Sequence, residues 1–261
     1  MSRSESSKLL KSRWLGRKEV RDKVKEEERF VKSMDSLVEL ARHSITSNLN
    51  GSKNFEEYVE NQIKKEWNTT NFDKIKNMWG SEKLGVRVSL FVDNEFRGSF
   101  GSIKSIENVY DDVISHSIKA CIEDNRFPPV TWKEFKKLLI EITLVDDDEI
   151  PIEYKDPLEL CMILERDKEK GVLIRHPKGT FAYHLPDTWD LIPDAAMFLT
   201  TLCSNAGLPP SAWRGESRLW PQKVTEKKRN LYTGEVIEPE EYTGISIYHL
   251  NVRSTVGDGK S

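Results

Sequence analysis

The first part of the chain carries the hydrophobic spacing of helices. Between residues 34 and 49, apolar side chains recur every three or four positions, and Asn50-Gly51 follows as a stop signal. Asn54 and Glu57 form a capping pair that predicts a second helix, whose apolar face ends at Trp67. This segment is therefore predicted to be a pair of helices.

The spacing changes at residue 85. Residues 85–92 alternate and are rich in β-branched side chains, which predicts a strand. Asp93-Asn94-Glu95 supplies a turn into a second strand over residues 96–101, so the two strands are expected to form a hairpin. A helix follows and ends before Pro128-Pro129, and its predicted apolar face is formed by Tyr110, Val113, Ile114, Ile118 and Cys121.

Shorter elements are predicted next. Thr131 and Glu134 have the spacing of a capping box, which predicts a short helix. A strand is expected over residues 139–145, and the acidic run 146–149 is interpreted as a solvated turn after it. Residues 158–176 are predicted to form two strands joined by a charged turn.

The last part of the chain completes a mixed fold. Pro193-Asp194 predicts the start of a helix that Gly207 ends, and a final strand is predicted over residues 243–252. The order of elements predicts an α+β fold, in which helices pack around a largely antiparallel sheet.

Charge is distributed unevenly over the predicted domains, which are a helical extension (1–33), an α+β domain (34–251) and a polar tail (252–261). The 261 residues have a net charge of −3, but the extension alone has a net charge of +5. Because phosphate affinity needs clustered cations, nucleic-acid binding is not favoured for the acidic body. The extension is the segment expected to contact a protein partner or nucleic acid.

Other features narrow the class of protein. No segment approaches the roughly 18 apolar residues of a membrane span, and the start of the chain lacks the apolar block of a secretory signal. We expect a cytoplasmic protein, or a nuclear one if the source is eukaryotic, with no membrane contact. The three cysteines are widely spaced and have apolar neighbours, which predicts reduced, buried thiols.

The spacing of the histidines predicts no metal site, and the sequence predicts no cofactor. None of the five forms a zinc-binding motif with a second ligand at the required spacing. His43 and His116 are expected to be exposed. His184 has aromatic and acidic neighbours and is the one histidine we select as an acid–base candidate.

The second predicted strand contains the most unusual motif. Arg97 stands beside Gly98, and Ser99 is followed two positions later by Gly101. Glycine inside a strand marks a bulge or a close approach to the backbone, and the arginine beside it could bind an anion or form a structural salt bridge. Ser99 lacks the flanking residues of a nucleophile elbow.

A rigid corner follows about 25 residues later. Asp124 and Arg126 precede Phe127 and two prolines. Two interpretations stay open. The charged side chains could bond to the local backbone and fix the exit of the helix, or Arg126 could anchor an anion on the second wall of a cleft.

These motifs together resemble the AMMECR family. Its hallmark is a Leu-Arg-Gly-Cys-Ile-Gly strand followed by an Asp-x-Arg-Phe-Pro-Pro corner, and residues 96–101 and 124–129 are similar to these motifs. The resemblance extends over about residues 34–251 and implies two closely packed subdomains that share a cleft. Ser99 stands where the family pattern has Cys, and Asn205 stands where it has Lys. Because serine is the weaker nucleophile near neutral pH, cysteine chemistry at this position would be impaired here.

What the resemblance implies about function is indirect. The family has no settled reaction, and its prokaryotic members occur beside, or fused to, a Memo-type protein and a radical SAM enzyme. This association implies an accessory or scaffold subunit of a modification system, and a nucleic-acid-associated regulatory role is the further alternative.

Our sequence-based hypothesis is a cleft that binds a small anionic ligand or an extended peptide, with Arg97 or Arg126 as the anion contact. Whether the protein is an enzyme is left open. The predicted binding residues are Arg97, Gly98, Ser99, Gly101, Asp124, Arg126, Phe127 and His184.

Overall fold

The computed structural model describes residues 30, 33–52, 55–58, 69–177, 179–214, 228–229, 236–237 and 245–258. Most of the predicted N-terminal extension (1–33) and most of the second predicted helix lie outside these residues. The chain divides into two compact units, Met1–Val145 with Arg253–Ser261, and Asp146–Val252. We call them the first and the second unit.

The first unit contains five described helices and a hairpin. The helices are α1 (33–49), α2 (Phe55–Tyr58), α3 (Thr69–Trp79), α4 (Val109–Ile122) and α5 (Trp132–Phe135). The strands are β1 (Gly85–Val92), β2 (Glu95–Ser102) and the first part of β3 (Leu138–Pro151), which ends in the second unit.

Strand β1 lies between β2 and β3 and pairs with both in antiparallel orientation. The predicted hairpin is confirmed, because Asp93 and Asn94 have φ values of 54° and 68°, as in the two-residue turns that suit a hairpin. Alternate residues of β1 and β3, among them Val88 and Ile142, are fully buried in a core shared with α1 and α4. Strand β2 therefore forms an edge, and its backbone groups on the far side from β1 need other partners.

The second unit contains the remaining elements. They are α6 (Pro157–Arg166), β4 (Gly171–Arg175), β5 (Phe181–His184), α7 (Thr188–Leu191), α8 (Ala195–Asn205), a 3₁₀ turn (Ala212–Arg214), β6 (Lys228–Arg229), β7 (Val236–Ile237) and β8 (Ser246–Gly257), the end of which lies in the first unit. Strand β4 pairs in antiparallel orientation with both β5 and β8. Helices against antiparallel strands confirm the predicted α+β class.

The prediction of two strands within residues 158–176 is wrong for its first half. Pro157–Arg166 is a helix, and Asp156 caps it by accepting a hydrogen bond from the backbone N–H of Glu159. Leu160 and Leu164 are fully buried, four residues apart on one helix face. The aspartate and proline before this spacing are a helix-start signal.

Two strands are longer than predicted. Strand β3 continues through the acidic run 146–149 to Pro151, so the prediction of a solvated turn there is wrong. Carboxylates on an edge or solvated face leave a strand intact, because successive side chains point to opposite faces. Strand β8 extends to Gly257, past residue 252, where the sequence analysis placed the start of the tail.

Two histidines are less exposed than predicted. His116 is fully buried on α4, where its Nδ1 lies 3.0 Å from the carbonyl oxygen of Val86, and His43 is half-buried on α1. Burial lowers the pKa of both imidazoles, that of His43 to about 4. His116 follows Val113 by three residues, so its position on the buried face could have been predicted.

Candidate binding site at the edge of strand β2

Strand β2 contains a β-bulge at Arg97. Leu90 of β1 pairs with Gly98, whereas Phe91 pairs with Phe96, so Arg97 is the extra residue of the strand. This confirms the interpretation of the glycine motif as a bulge. The bulge redirects the side chain of Arg97 at the edge of the sheet.

Gly98 is the point at which β2 approaches the end of α4. It is buried with φ +156°, and a Cβ atom built on it would lie 2.8 Å from the carbonyl oxygen of Ala120. That oxygen belongs to helix backbone and cannot move aside without distorting the helix. A side chain at position 98 would therefore push β2 away from the corner that follows α4.

Asp124 binds the outer edge of β2. Its Oδ2 accepts a hydrogen bond of 2.8 Å from the backbone N–H of Ser99, which as an edge residue needs a partner outside the sheet. Its Oδ1 accepts a further bond of 3.1 Å from the backbone N–H of Arg126. The side chain is only 7% exposed. Asp124 thus joins the corner to the strand.

Arg126 covers Asp124 from the solvent side. Its Nε and Nη2 donate to the two carboxylate oxygens at 2.9 and 2.6 Å, and Nη2 also donates to Oγ of Ser99 at 3.2 Å. The side chain remains 60% exposed. Its Nη1 forms no hydrogen bond within the part of the chain that the structure describes.

Arg97 is paired with a different carboxylate. Its Nε donates to Glu134 at 2.7 Å, and its Nη2 donates to the carbonyl oxygen of Pro128 at 2.8 Å. The side chain is 12% exposed. Glu134 also accepts bonds from Thr131 in the predicted capping box, which is confirmed. Arg97 therefore forms the structural salt bridge that the sequence analysis named as one alternative.

Aromatic rings connect the two arginines. The rings of Phe96 and Phe127 meet edge to face with centroids 5.7 Å apart. The guanidinium carbon of Arg126 lies 4.9 Å from the centroid of Phe96, and that of Arg97 lies 5.5 Å from the centroid of Phe127. These distances are those of cation–π contacts, so the rings help to orient both arginines.

The two carboxylates stay ionised because of their donors. The hydrogen bond from Arg126 is the main cause that holds the pKa of Asp124 well below its usual range. The hydrogen bond from Arg97 lowers the pKa of Glu134 to about 2. Each pair is formally neutral, so the site has charged groups but little net charge.

The structure brings together most of the predicted site residues. Arg97, Gly98, Ser99, Asp124, Arg126 and Phe127 form one cluster in the first unit. Gly101 lies further along β2, where a Cβ would meet the backbone of Arg87 at 2.5 Å, so its role is close strand packing. The sequence analysis did not assign Glu134 to this cluster, because its only signal was the capping box.

His184 lies in the second unit, on β5. Its Nε2 is 3.2 Å from the side-chain nitrogen of Asn205, and its ring packs edge to face on Phe198. Burial lowers its pKa to about 4, so the imidazole is neutral near pH 7. None of its described contacts involves the cluster around Arg126.

Covalent and metal chemistry receive no support from the described residues. No histidine contact to Ser99 is found among them, and no group of three or more metal-binding side chains is present in these segments. Burial raises the pKa of the thiol of Cys121 to about 12, although the charge of Arg97 acts in the opposite direction. Among the described helices, none is long and apolar enough to cross a bilayer.

The chain is similar to known proteins in both sequence and structure. The sequence model of the AMMECR1 family matches residues 38–223. A protein of Pyrococcus abyssi is 28% identical over 214 residues, which are 79% of this chain and 89% of the relative. A protein of Methanocaldococcus jannaschii is 30% identical over 146 residues, or 52% of this chain and 68% of the relative.

A solved structure gives the same fold. The crystal structure of the uncharacterised protein PH0010 from Pyrococcus horikoshii superposes with a TM-score of 0.58 and 22% sequence identity, covering 86% of this chain and 91% of that one. The family match includes both the bulged strand and the corner. On this evidence the chain belongs to the AMMECR1 family.

Proposed function

We propose that this AMMECR1 protein binds an extended peptide segment at the outer edge of β2, with Arg126 as the contact for a carboxylate of the peptide. The observation that carries the proposal is that the guanidinium of Arg126 has hydrogen-bond partners on one side only. One side of its guanidinium is fixed by Asp124, while the side chain is 60% exposed and Nη1 has no described partner.

The edge of the strand supports an extended ligand. The N–H of Ser99 points away from β1, since it donates to Asp124. Alternate residues of a strand point their peptide groups to the same side, so the N–H of Gly101 points outward as well. Among the described strands, only β1 pairs with β2. A peptide could therefore add backbone hydrogen bonds beside Gly101 while its side chain reaches Arg126.

The charges favour a peptide over a small anion. A small anion is held mainly by net positive charge or by buried donors, whereas here Arg97 and Arg126 are each neutralised by a carboxylate. An extended segment gains backbone and aromatic contacts in addition to one exposed guanidinium. Phe96, half-buried beside Arg126, supplies such an aromatic surface.

The accessory-subunit alternative is compatible with this proposal. In that case the bound segment belongs to a partner enzyme of a modification system. If a partner co-purified with the wild-type protein but not with an Arg126 variant, the bound segment would belong to that partner.

The test uses fluorescein-labelled peptides of about eight residues, the length of an ordinary strand, in which Thr and Val alternate with Glu. We expect binding by anisotropy, and at least tenfold weaker binding for a peptide with Gln in place of Glu. Arg126→Gln should weaken binding of the Glu peptide by a similar factor.

Arg166→Gln is the matched control. Arg166 is also exposed, at 71%, and is paired with a neighbouring aspartate at 2.7 Å. The Arg166→Gln variant should bind the Glu peptide with the affinity of the wild type. Equal affinity for the Glu and Gln peptides, or an equal loss of affinity in both arginine variants, would show that Arg126 is not the contact for the peptide carboxylate.

A further inference from the structure

Helix α6 in the second unit is apolar on two opposite faces. Leu160 and Leu164 are fully buried, whereas Leu158 and Met162 are 71% and 63% exposed. Each pair has the four-residue spacing of one helix face, and the two faces lie on opposite sides of the helix. An amphipathic helix that only covered its own core would carry polar residues where Leu158 and Met162 stand.

Helices α6 and α8 pack against each other, so α8 is a neighbour of the exposed face of α6. The charges of Glu165 on α6 and of Asp194 at the start of α8 also act on the thiol of Cys161, which lies on α6. Asp194 caps α8, and Met197 in the first turn is 57% exposed. Contiguous exposed apolar side chains mark interaction sites more often than single ones do.

Carboxylates without ion pairs border this exposed face. Glu165 and Asp194 form no ion pair with any residue that the structure describes, and Glu159 accepts only a backbone hydrogen bond from Lys155. The cation at the end of α6, Arg166, is bound to Asp167 at 2.7 Å. Arg214 is the described cation that acts on Cys161, and it lies over the ring of Trp213. Lys168 lies near the start of α8, where its Nζ is 3.5 Å from the carbonyl oxygen of Pro193, but it forms no ion pair with Asp194 among the described residues. Glu165 and Asp194 can therefore pair with cations of a partner.

We infer that the outer face of α6 and the first turn of α8 bind a basic amphipathic helix of a partner protein. Apolar side chains of the partner at positions i and i+4 would cover Leu158 and Met162. Its lysines or arginines would pair with Glu165 and Asp194. This surface is separate from the peptide site proposed above and does not depend on it.

The test uses the full chain and a labelled synthetic helix of about 15 residues, long enough to form helix on binding, with Leu on one face and Lys on the other. We expect binding at an ionic strength of about 0.15 M, where surface charges are already partly screened. A peptide of the same design with Glu in place of Lys should not bind.

Surface variants locate the contact. The double variant L158Q/M162Q and the variant Glu165→Lys should each weaken binding at least tenfold. Ile106→Gln and Glu123→Lys are the matched controls, since both residues are exposed in the first unit and should leave binding unchanged. All five substituted positions are exposed, so the four variants are expected to keep the wild-type thermal midpoint, which is measured for each.

Three results would overturn the inference. One is equal binding by the α6 variants and the controls, and another is equal binding of the Lys and Glu peptides. The third is a wild-type dimer in sedimentation that L158Q/M162Q converts to a monomer, because the face would then be covered by a second copy of this chain.

Discussion

The corner of the first unit and the histidine site of the second unit treat their buried ionisable groups in opposite ways. The side chain of Asp124 is 7% exposed and accepts four hydrogen bonds, three of them from Arg126, and its pKa is held below the usual range. His184 is buried, has Asn205 as its one described hydrogen-bond partner, and has its pKa lowered to about 4, which makes it neutral near pH 7.

The comparison teaches that donors, and not burial alone, decide whether a buried group keeps its charge. The carboxylate at the corner is ionised because backbone N–H groups and a guanidinium surround it. The imidazole in the second unit loses its charge because apolar side chains such as Phe198 surround it. This is why we place anion recognition at the corner, whereas the acid–base role of His184 stays a prediction.

The largest expected effect on stability comes from a substitution that disrupts the contact between β2 and the corner after α4. Gly98→Ala places a Cβ 2.8 Å from the carbonyl oxygen of Ala120, so β2 must shift away from Asp124. We expect a loss of about 3 kcal/mol in the free energy of unfolding, measured with urea. Gly179→Ala in the second unit, where the added Cβ meets nothing within 4 Å, should cost only about 1 kcal/mol from its positive φ. Equal losses would mean that the close approach at Gly98 is unimportant.

The next prediction concerns the pH dependence of stability, which differs between His184 and the corner carboxylates. The folded pKa of His184 is about 4, below its ordinary value of 6.5, so the unfolded chain binds a proton first. Stability from this group is complete above pH 6.5 and falls as the pH decreases toward 4. A shift of this size corresponds to on the order of 3 kcal/mol. His43 acts in the same direction.

The corner carboxylates act in a lower window. The folded pKa of Glu134 is about 2, below the ordinary 4.5, so its stabilisation is present above pH 4.5 and is lost as the pH falls toward 2. Unfolding curves from pH 7 to 3 should therefore show two successive losses. His184→Gln should reduce the first and leave the second. If this variant has the same slope as the wild type between pH 6.5 and 4, the histidine account is wrong.

A smaller effect compares two arginine–glutamate pairs. Arg97→Gln leaves Glu134 partly buried without its main donor, and we expect a loss of about 2 kcal/mol. Arg175 forms the corresponding pair with Glu149 in the second unit, but its side chain is 34% exposed instead of 12%. Arg175→Gln should cost about 1 kcal/mol or less. A larger loss for Arg175→Gln in urea unfolding would reverse this ranking.

The smallest effect restores the family pattern at position 99. Ser99→Cys replaces a half-buried hydroxyl whose only described side-chain bond is that from Arg126, so stability should change by less than about 0.5 kcal/mol. The introduced thiol, close to a guanidinium, should react with a maleimide faster than Cys121 or Cys203, whose burial raises their pKa values to about 12 and 11. Labelling at the same slow rate would show that position 99 is not accessible.

Sequence reasoning succeeded where local signals determine the structure. The hairpin turn at Asp93-Asn94, the capping box at Thr131 and the helix start at Asp194 were all predicted, because each depends on residues close together in the chain. It failed at Pro157–Arg166, where an apolar run was interpreted as a strand although the helix-start signal was present. Short apolar runs fit either structure, and the start signal should have decided.

The site could be predicted only in part. The sequence motifs identified Arg97, Asp124 and Arg126, but not which arginine pairs with which carboxylate. Glu134 pairs with Arg97 across 37 residues, and no local spacing predicts such a contact. The different exposure of the two arginines likewise results from the tertiary structure.

The central claim is that Arg126 binds a peptide carboxylate, whereas Arg97 stabilises the folded state through its salt bridge to Glu134. It is tested most directly by measuring, for Arg97→Gln and Arg126→Gln in parallel, both the urea unfolding free energy and the affinity for the Thr/Val/Glu peptide. We predict a stability loss of about 2 kcal/mol with affinity kept for Arg97→Gln. For Arg126→Gln, in which Asp124 keeps its two backbone N–H donors, we predict at least a tenfold loss of affinity. The reverse pattern, or affinity unchanged in Arg126→Gln, would contradict the account.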